Sequence, residues 1–443
     1  MLALTAVVIA GFFTVYTKLS GDVRLSDVRV GELIEPLSQL PELSMNEDIP
    51  IQAEDTASPA PTGTQPAAAG VSASPAASAA PTPERTTAVP PPSATPSPAP
   101  SPTPAPGGSF TLTAGGTVAL EMAVRQAGYS KSTGSYVFTD VFSLISGSIE
   151  ADLSYVELEN LVIAGASVSA LIAPEEVMSM LSAGGLDYVA LGFNKVYEQG
   201  WNGLTSTRLA AESVGLELFG VHNTEDEAVQ LHEVNGIRVA LLHCVESLSD
   251  KSRSAMKKDG RSWAVSTADS IAGEIEAARA AGAQCVIVSV HWGTRDKNTV
   301  SKAQKTLAQK IADAGADVII GSGARVAKSV EWLDTQRNGQ AARCLCAYDL
   351  GCLLSESRKA MHLAGMLLHL QISCDSKGTV RIDRVSYTPT YFWRYKQGSA
   401  YGYRLLASNA TAPDGMSADE KKNMQSALKR IQSLMEASAI SEE

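Results

Sequence analysis

Four short stretches of this chain carry chemically capable side chains where predicted strands end. VELEN places Glu157 and Glu159 on one face of a strand end, and LGFNK closes a run with Asn194 and Lys195. SVHWGTR ends with His291, Trp292 and Arg295, and IIGSGAR with Ser322 and Arg325 among two glycines. Carboxylates and a neutral imidazole are ligands for a divalent metal and acid–base groups for hydrolysis. Arg and Lys bind phosphate or carboxylate directly, Arg through a planar two-pronged fork. Each stretch alone reads as a solvated or capped strand end. All four at carboxyl ends of strands point to one site, because α/β folds gather their sites there.

The elements that must position them are legible as short apolar runs alternating with helical patterns. Candidate strands are 110–114, 153–158, 188–192, 238–244, 285–291, 317–321, 344–350 and 366–372. Helical patterns lie between them, several closing on Gly185, Gly215, Gly282 and Gly315 as helix C-termini often do. Continuous Val/Ile/Leu runs alternating with helices predict an α/β fold with a largely parallel sheet covered on both faces. After Ser417, Met424, Leu428, Ile431 and Leu434 recur at helical spacing behind a capping-box pair, Ser417 and Glu420. That stretch predicts a terminal helix docked on the body. Of the six cysteines, Cys244 and Cys285 read as small apolar core residues, and Cys346 with Cys374 is one conceivable disulfide among pairings the sequence does not choose.

Composition divides the 443 residues sharply. Eighteen of the 21 prolines lie between Pro36 and Pro106. Residues 1–20, uncharged through Thr17, read as a transmembrane anchor or signal. Residues 21–108 read as a disordered Pro/Ala/Ser/Thr-rich linker, able to hold the body roughly 100 Å from a membrane. The α/β domain is expected over 109–405 and the C-terminal helix over 406–443. A net charge of −11 argues against a nucleic-acid partner. One local exception is KSRSAMKKDGR at 251–261, with five basic residues and one acidic.

The ordered series TAGG (113–116), LSYVELEN (153–160), LGFNKVYEQGWNGL (191–204), SVHWGT (289–294), AGADVIIGSGARV (314–326) and YDLGCLL (348–354) resembles the CapA family of bacterial capsule or poly-gamma-glutamate synthesis proteins. The resemblance covers residues 110 to about 390. It implies a calcineurin-like metallophosphatase sandwich of sheets flanked by helices. The family's first motif ends Gly-Asp, where this chain has Gly116. Asn-Leu-Glu is Glu157-Leu158-Glu159, Asn-Asn-His is Phe193-Asn194-Lys195, and Gly-His-His-Pro-His is Gly321-Ser322-Gly323-Ala324-Arg325. His-Trp-Gly survives at 291–293, with Arg295 where an acid usually follows.

What remains of the implied ligand set is Glu159 and His291, with Asn194 and Glu157 beside them. Lys195, Arg295 and Arg325 bring positive charge to the same strand ends, and like charges repel a metal by several kcal/mol at about 4 Å. The expectation is therefore a pseudoenzyme without a cofactor, in which Lys195, Arg295, Arg325 and Asn194 bind an anion. The alternative is a hydrolase with a single Mn or Zn, using His291 as acid or base beside Glu159. Expected partners are the membrane, an anionic surface polymer or wall component, and other polymer-synthesis proteins, with the body outside the cell.

Overall fold

The computed structural model describes residues 107–442 apart from 226, 228, 338, 399, 439 and 440. The expected anchor at 1–20 and nearly all of the expected linker at 21–108 lie outside the described residues. Among the described residues, no helix is long and apolar enough to cross a membrane.

Two mixed β-sheets form the body. The nine-stranded sheet is built from β1 (Gly108–Val118), β2 (Leu153–Leu158), β3 (Tyr188–Ala190) and β4 (Glu217–Phe219), all parallel. The six-stranded sheet contains β5 (Leu231–Val234), β6 (Ile237–Val245), β7 (Cys285–His291), β8 (Val318–Ser322), β9 (Val330–Arg337) and β10 (Gln340–Ala347) in the order β9-β10-β8-β7-β6-β5. In it β6, β7, β8 and β10 are parallel. The larger sheet continues beside β1 with β11 (Cys352–Leu354), β12 (Ala364–Cys374), β13 (Val380–Gln397) and β14 (Ala400–Ala407), ordered β14-β13-β12-β1-β2-β3-β4 with β11 on β1 and β15 (Ser441–Glu442) on β13. The meander β12–β14 is antiparallel to β1. The strand pattern alone suggested a largely parallel sheet; the fold has two mixed ones, in keeping with the α/β arrangement of several sheets that the resemblance implied.

Period-two alternation explains how β6 to β8 serve two layers at once. Val239, Leu241 and Val245, with Ile287 and Ile320, join the core that also holds Leu112 and Ala114 of β1. Ala240, Leu242 and Cys244, with Val286, Val288 and Val290, pack with Ile271, Ile275, Leu307 and Ile311. Those four belong to α5 (Ile271–Ala280) and α6 (Lys302–Asp313). Each fully buried Val, Leu or Ile contributes about 1.5–3 kcal/mol. Earlier helices are α1 (Met122–Gly128), α2 (Glu176–Ala183), α3 (Gly200–Glu212) and α4 (Asp250–Lys258). Gly282 and Gly315 have φ of 96° and 114° just past α5 and α6, which a residue with a Cβ rarely adopts.

The terminal helix α7 (Ala418–Glu436) lies on β12 and β13. Ser417 accepts from the Glu420 amide at 3.2 Å, as the sequence suggested. The Glu420 carboxylate points elsewhere: it takes Arg358 at 2.7 and 2.9 Å and the Tyr391 hydroxyl. The second half of the capping box is replaced by a latch that ties the helix to β13. All six cysteines are buried free thiols, including Cys346 and Cys374.

Candidate functional site

The parallel strands set the site by register. Thr117 of β1 lies opposite Glu157 of β2, and Glu157 opposite Ala190 of β3. In the other sheet His291 of β7 lies between Val245 of β6 and Ser322 of β8. The two sheets meet at these ends, where His291 Nδ1 donates to Glu157 Oε1 at 2.6 Å and the Thr117 hydroxyl donates to Glu157 Oε2 at 2.8 Å. Burial works against a charged imidazole here. The Glu157 carboxylate outweighs it, with Glu159 and Asp349 adding to the field, and raises His291 to about 9. Burial likewise opposes the Glu157 charge, but His291 holds that carboxyl below its ordinary value. At neutral pH the pair is an imidazolium–carboxylate ion pair.

Arg325 forms a second ion pair alongside it. Its Nε donates to Glu159 Oε2 at 3.0 Å and its Nη2 contacts the same oxygen, while Nη1 donates to Glu121 Oε1 at 2.8 Å. The guanidinium is only 6% exposed, so it faces carboxylates and not open solvent. Burial opposes its charge, and the two glutamates more than offset that. Its φ of +57° is left-handed, a strained backbone for a residue with a long side chain, which the surrounding contacts must maintain.

Glu121, which the sequence reading missed, is the hub of the rim. Beyond Arg325 it accepts from Arg295 at 3.1 Å, from the Ser355 hydroxyl at 3.0 Å and from the Glu356 amide at 3.1 Å. Burial raises its carboxyl, but Arg325 and these donors together pull it down to about 2. No motif marks Glu121. It follows β1 in a run that reads as the approach to a helix.

The remaining expected residues take different places. Asn194 and Lys195 are exposed, and Asn194 is engaged through its carbonyl, which accepts from the Ser249 amide at 2.7 Å. Arg295 is half exposed at the rim. Ser322 is buried, its hydroxyl donating to the Val290 carbonyl at 3.3 Å. Trp292 is buried too, with Nε1 donating to the Tyr348 carbonyl at 2.8 Å, so it braces the strand end.

Two further buried groups, His243 and Asp349, act on the pair, with Lys328 next to Asp349; of the three only Asp349, in YDLGCLL, lies in a stretch that carries the family resemblance. His243 Nε2 donates to the Gly192 carbonyl at 2.7 Å, and burial holds that imidazole down at about 4. A Cβ on Gly192 would stand 2.2 Å from the same ring, which accounts for the glycine. Asp349 accepts from the Gly351 and Ala324 amides at 2.8 and 3.0 Å, and burial pushes its carboxyl up to about 8. Lys328 is 1% exposed and donates to Gln304 Oε1 at 3.0 Å, within the capping box that starts α6.

Glu157, Glu159 and His291 bring one donor atom each to within 4.8 Å of one another, and Glu159 Oε1 is buried with no hydrogen-bond partner among the described residues. That distance and that spare acceptor suit a cation. The charge does not, since Glu157 is matched by His291 and Glu159 by Arg325. A metal would have to displace a guanidinium and deprotonate an imidazolium. The position where an acid would extend the set is Gly116, and a Cβ there would lie 2.1 Å from the Gly351 carbonyl oxygen. These residues do not fit a two-metal centre.

Comparison with known proteins identifies relatives of the chain. A stretch of 166 residues, 36% of this chain, is 28% identical to the capsule biosynthesis protein CapA of Bacillus anthracis and covers 40% of that protein. The chain thus spans less than half of the curated relative's length. Among solved structures it is similar to the NAD nucleotidase NadN of Haemophilus influenzae (TM-score 0.40, 12% identity, 76% of this chain and 57% of that one). It is also similar to a 5'-nucleotidase precursor of Thermus thermophilus (TM-score 0.36, 12% identity, 74% and 60%). Neither likeness is close enough to carry chemistry across. The model of the bacterial capsule synthesis protein family PGA_cap matches residues 111–357, more than half of the sequence, and the chain belongs to that family.

Proposed function

We propose that this chain is a membrane-held, extracytoplasmic capsule-synthesis protein on a metallophosphatase-like scaffold. In this reading it binds an anionic surface polymer such as poly-gamma-glutamate and does not cleave it. The single observation behind this is the Arg325 guanidinium seated between Glu159 and Glu121, where a hydrolase of this kind would need a cation under substrate control. With carboxylates neutralised from within, the site has no polarising centre, and His291 carries a proton that Glu157 stabilises. The exposed cations Lys195 and Arg295 remain at the rim, where side chains can meet polymer carboxylates.

The test uses the full chain and fluorescein-labelled poly-L-glutamate as probe. Anisotropy should report binding that weakens steeply as salt rises, while size-exclusion chromatography shows the polymer length unchanged after prolonged incubation. Polymer shortening that disappears in His291→Ala would contradict the reading.

That contrary result is what a second reading predicts. Glu159 Oε1, which has no hydrogen-bond partner among the described residues and lies near His291, favours it: a hydrolase in which His291 is the acid or base and one divalent metal assists.

A further inference from the structure

From the surface charge we infer that the polymer-docking face is the exposed side of α4 with Lys195 at its head, a basic strip that takes a linear polycarboxylate; the inference rests on the polymer-binding reading above. The placement is structural. Glu246 N donates to the His291 carbonyl at 2.9 Å, and Ser249 N to the Asn194 carbonyl at 2.7 Å. The segment carrying α4 therefore starts at the mouth of the site, and Lys195 adjoins its first turn. Ser249 caps the helix, accepting from Ser252 N at 3.1 Å, which fixes the helix phase.

With that phase, Lys251 and Lys258 mark one edge of the exposed face of α4 and Arg253 and Lys257, at i, i+4 spacing, the other, while Arg261 follows just past the helix end. Lys195, Lys251, Arg253, Lys257 and Lys258 are all exposed, and Arg261 is half-buried. Lys251 leans on Glu198 at 3.5 Å and Arg253 on Asp250, but Lys257 and Lys258 have no ion-pair partner among the described residues. Arg253 and Lys257 repel each other at i, i+4, a small cost that the end of the helix dipole offsets only at its last turn. Arg261 lies 4.9 Å over the Trp201 ring, and Trp201 meets Trp263 edge-on at 5.7 Å, so the far end of the strip is rigid.

Five exposed cations on and beside this face, with Arg261 just past its end, form a local attractive field for a polyanion on a chain of net charge −11. Lysines are mobile point charges, suited to singly charged carboxylates repeated along a flexible chain. At 1.5 Å per residue, Lys251 to Lys258 spans roughly 10 Å, enough for several such repeats.

The experiment measures fluorescein-labelled poly-L-glutamate against the full chain, the fourfold variant Lys251→Gln, Arg253→Gln, Lys257→Gln, Lys258→Gln, and a control, Lys302→Gln with Lys305→Gln on α6. All four substituted side chains are exposed, and thermal melts check that the variants fold. The expected result is at least a tenfold weaker Kd for the fourfold variant, a flatter salt dependence, and less than a twofold change in the control. Parent-like binding in the fourfold variant overturns the docking face while leaving polymer binding in place. Equal losses in both variants overturn it as well, since charge alone would then suffice. Failure of the parent itself to bind removes the polymer reading and the docking face together.

Discussion

Replacing Arg325 by Ala should lower the stability of the full chain by about 3–5 kcal/mol, because it leaves two carboxylates facing each other without their shared cation. In a body of this size that is a fall of roughly 4–7 °C in Tm. Glu159 is 12% exposed and Glu121 19%, so water cannot take over much of the lost pairing. The position also has a left-handed backbone, which Ala tolerates no better than Arg. A double-mutant cycle separates the two contributions: adding Glu159→Gln to Arg325→Ala should recover at least about 1 kcal/mol, since the uncompensated charge is gone. A loss below about 1 kcal/mol for Arg325→Ala would mean that the guanidinium is a bystander and that the carboxylates have another partner.

Alkaline loss of stability is the second large effect expected. His291 rises from 6.5 to about 9 on folding, so the native state holds a proton that the unfolded chain releases. Stability from the Glu157–His291 pair is therefore complete below about pH 6.5 and declines as pH rises through about 9. At about 1.4 kcal/mol per pH unit the span amounts to roughly 3 kcal/mol. Asp349 acts in the same direction, because its raised carboxyl keeps a proton between about pH 4 and 8 that the unfolded chain gives up. Glu121, lowered to about 2, acts on the acid side: its contribution is present above about 4.5 and is lost as pH falls through 2. Chemical denaturation across pH 5–10 should thus show a maximum on the acid side of neutrality, and His291→Gln should flatten the limb between pH 6.5 and 9. An unchanged limb in that variant would remove His291 as its source.

Much of the frame was readable in the residues. The runs 153–158 and 285–291 are strands with the bounds their apolar pattern gave, and the Glu157, Glu159 and His291 they deliver do converge. Pattern alone could not assign strands to sheets, because pairing is a long-range choice that period-two alternation leaves open. It also passed over β9, whose VEWLDTQR has polar residues throughout, and β13, which contains Pro389 in a long run of mixed polarity. At the site, charge was legible but partnership was not. Arg325 reads from sequence as a cation free to bind an anion, and only the fold shows Glu121, 204 residues earlier in the chain, waiting for it. His243 sits in an apolar run and reads as one more core position, yet it lies beside Glu157 in the electrostatics of the site.

The central claim is that internal cations, Arg325 and the His291 imidazolium, neutralise this site in place of metal. Metal content by inductively coupled plasma mass spectrometry tests it most directly, on the full chain after exposure to Mn²⁺, Zn²⁺ and Fe²⁺ and removal of free ions. The account predicts far less than one metal per chain. Retention of one or two metals per chain, lost in Glu159→Gln, would contradict it and return the protein to the hydrolases.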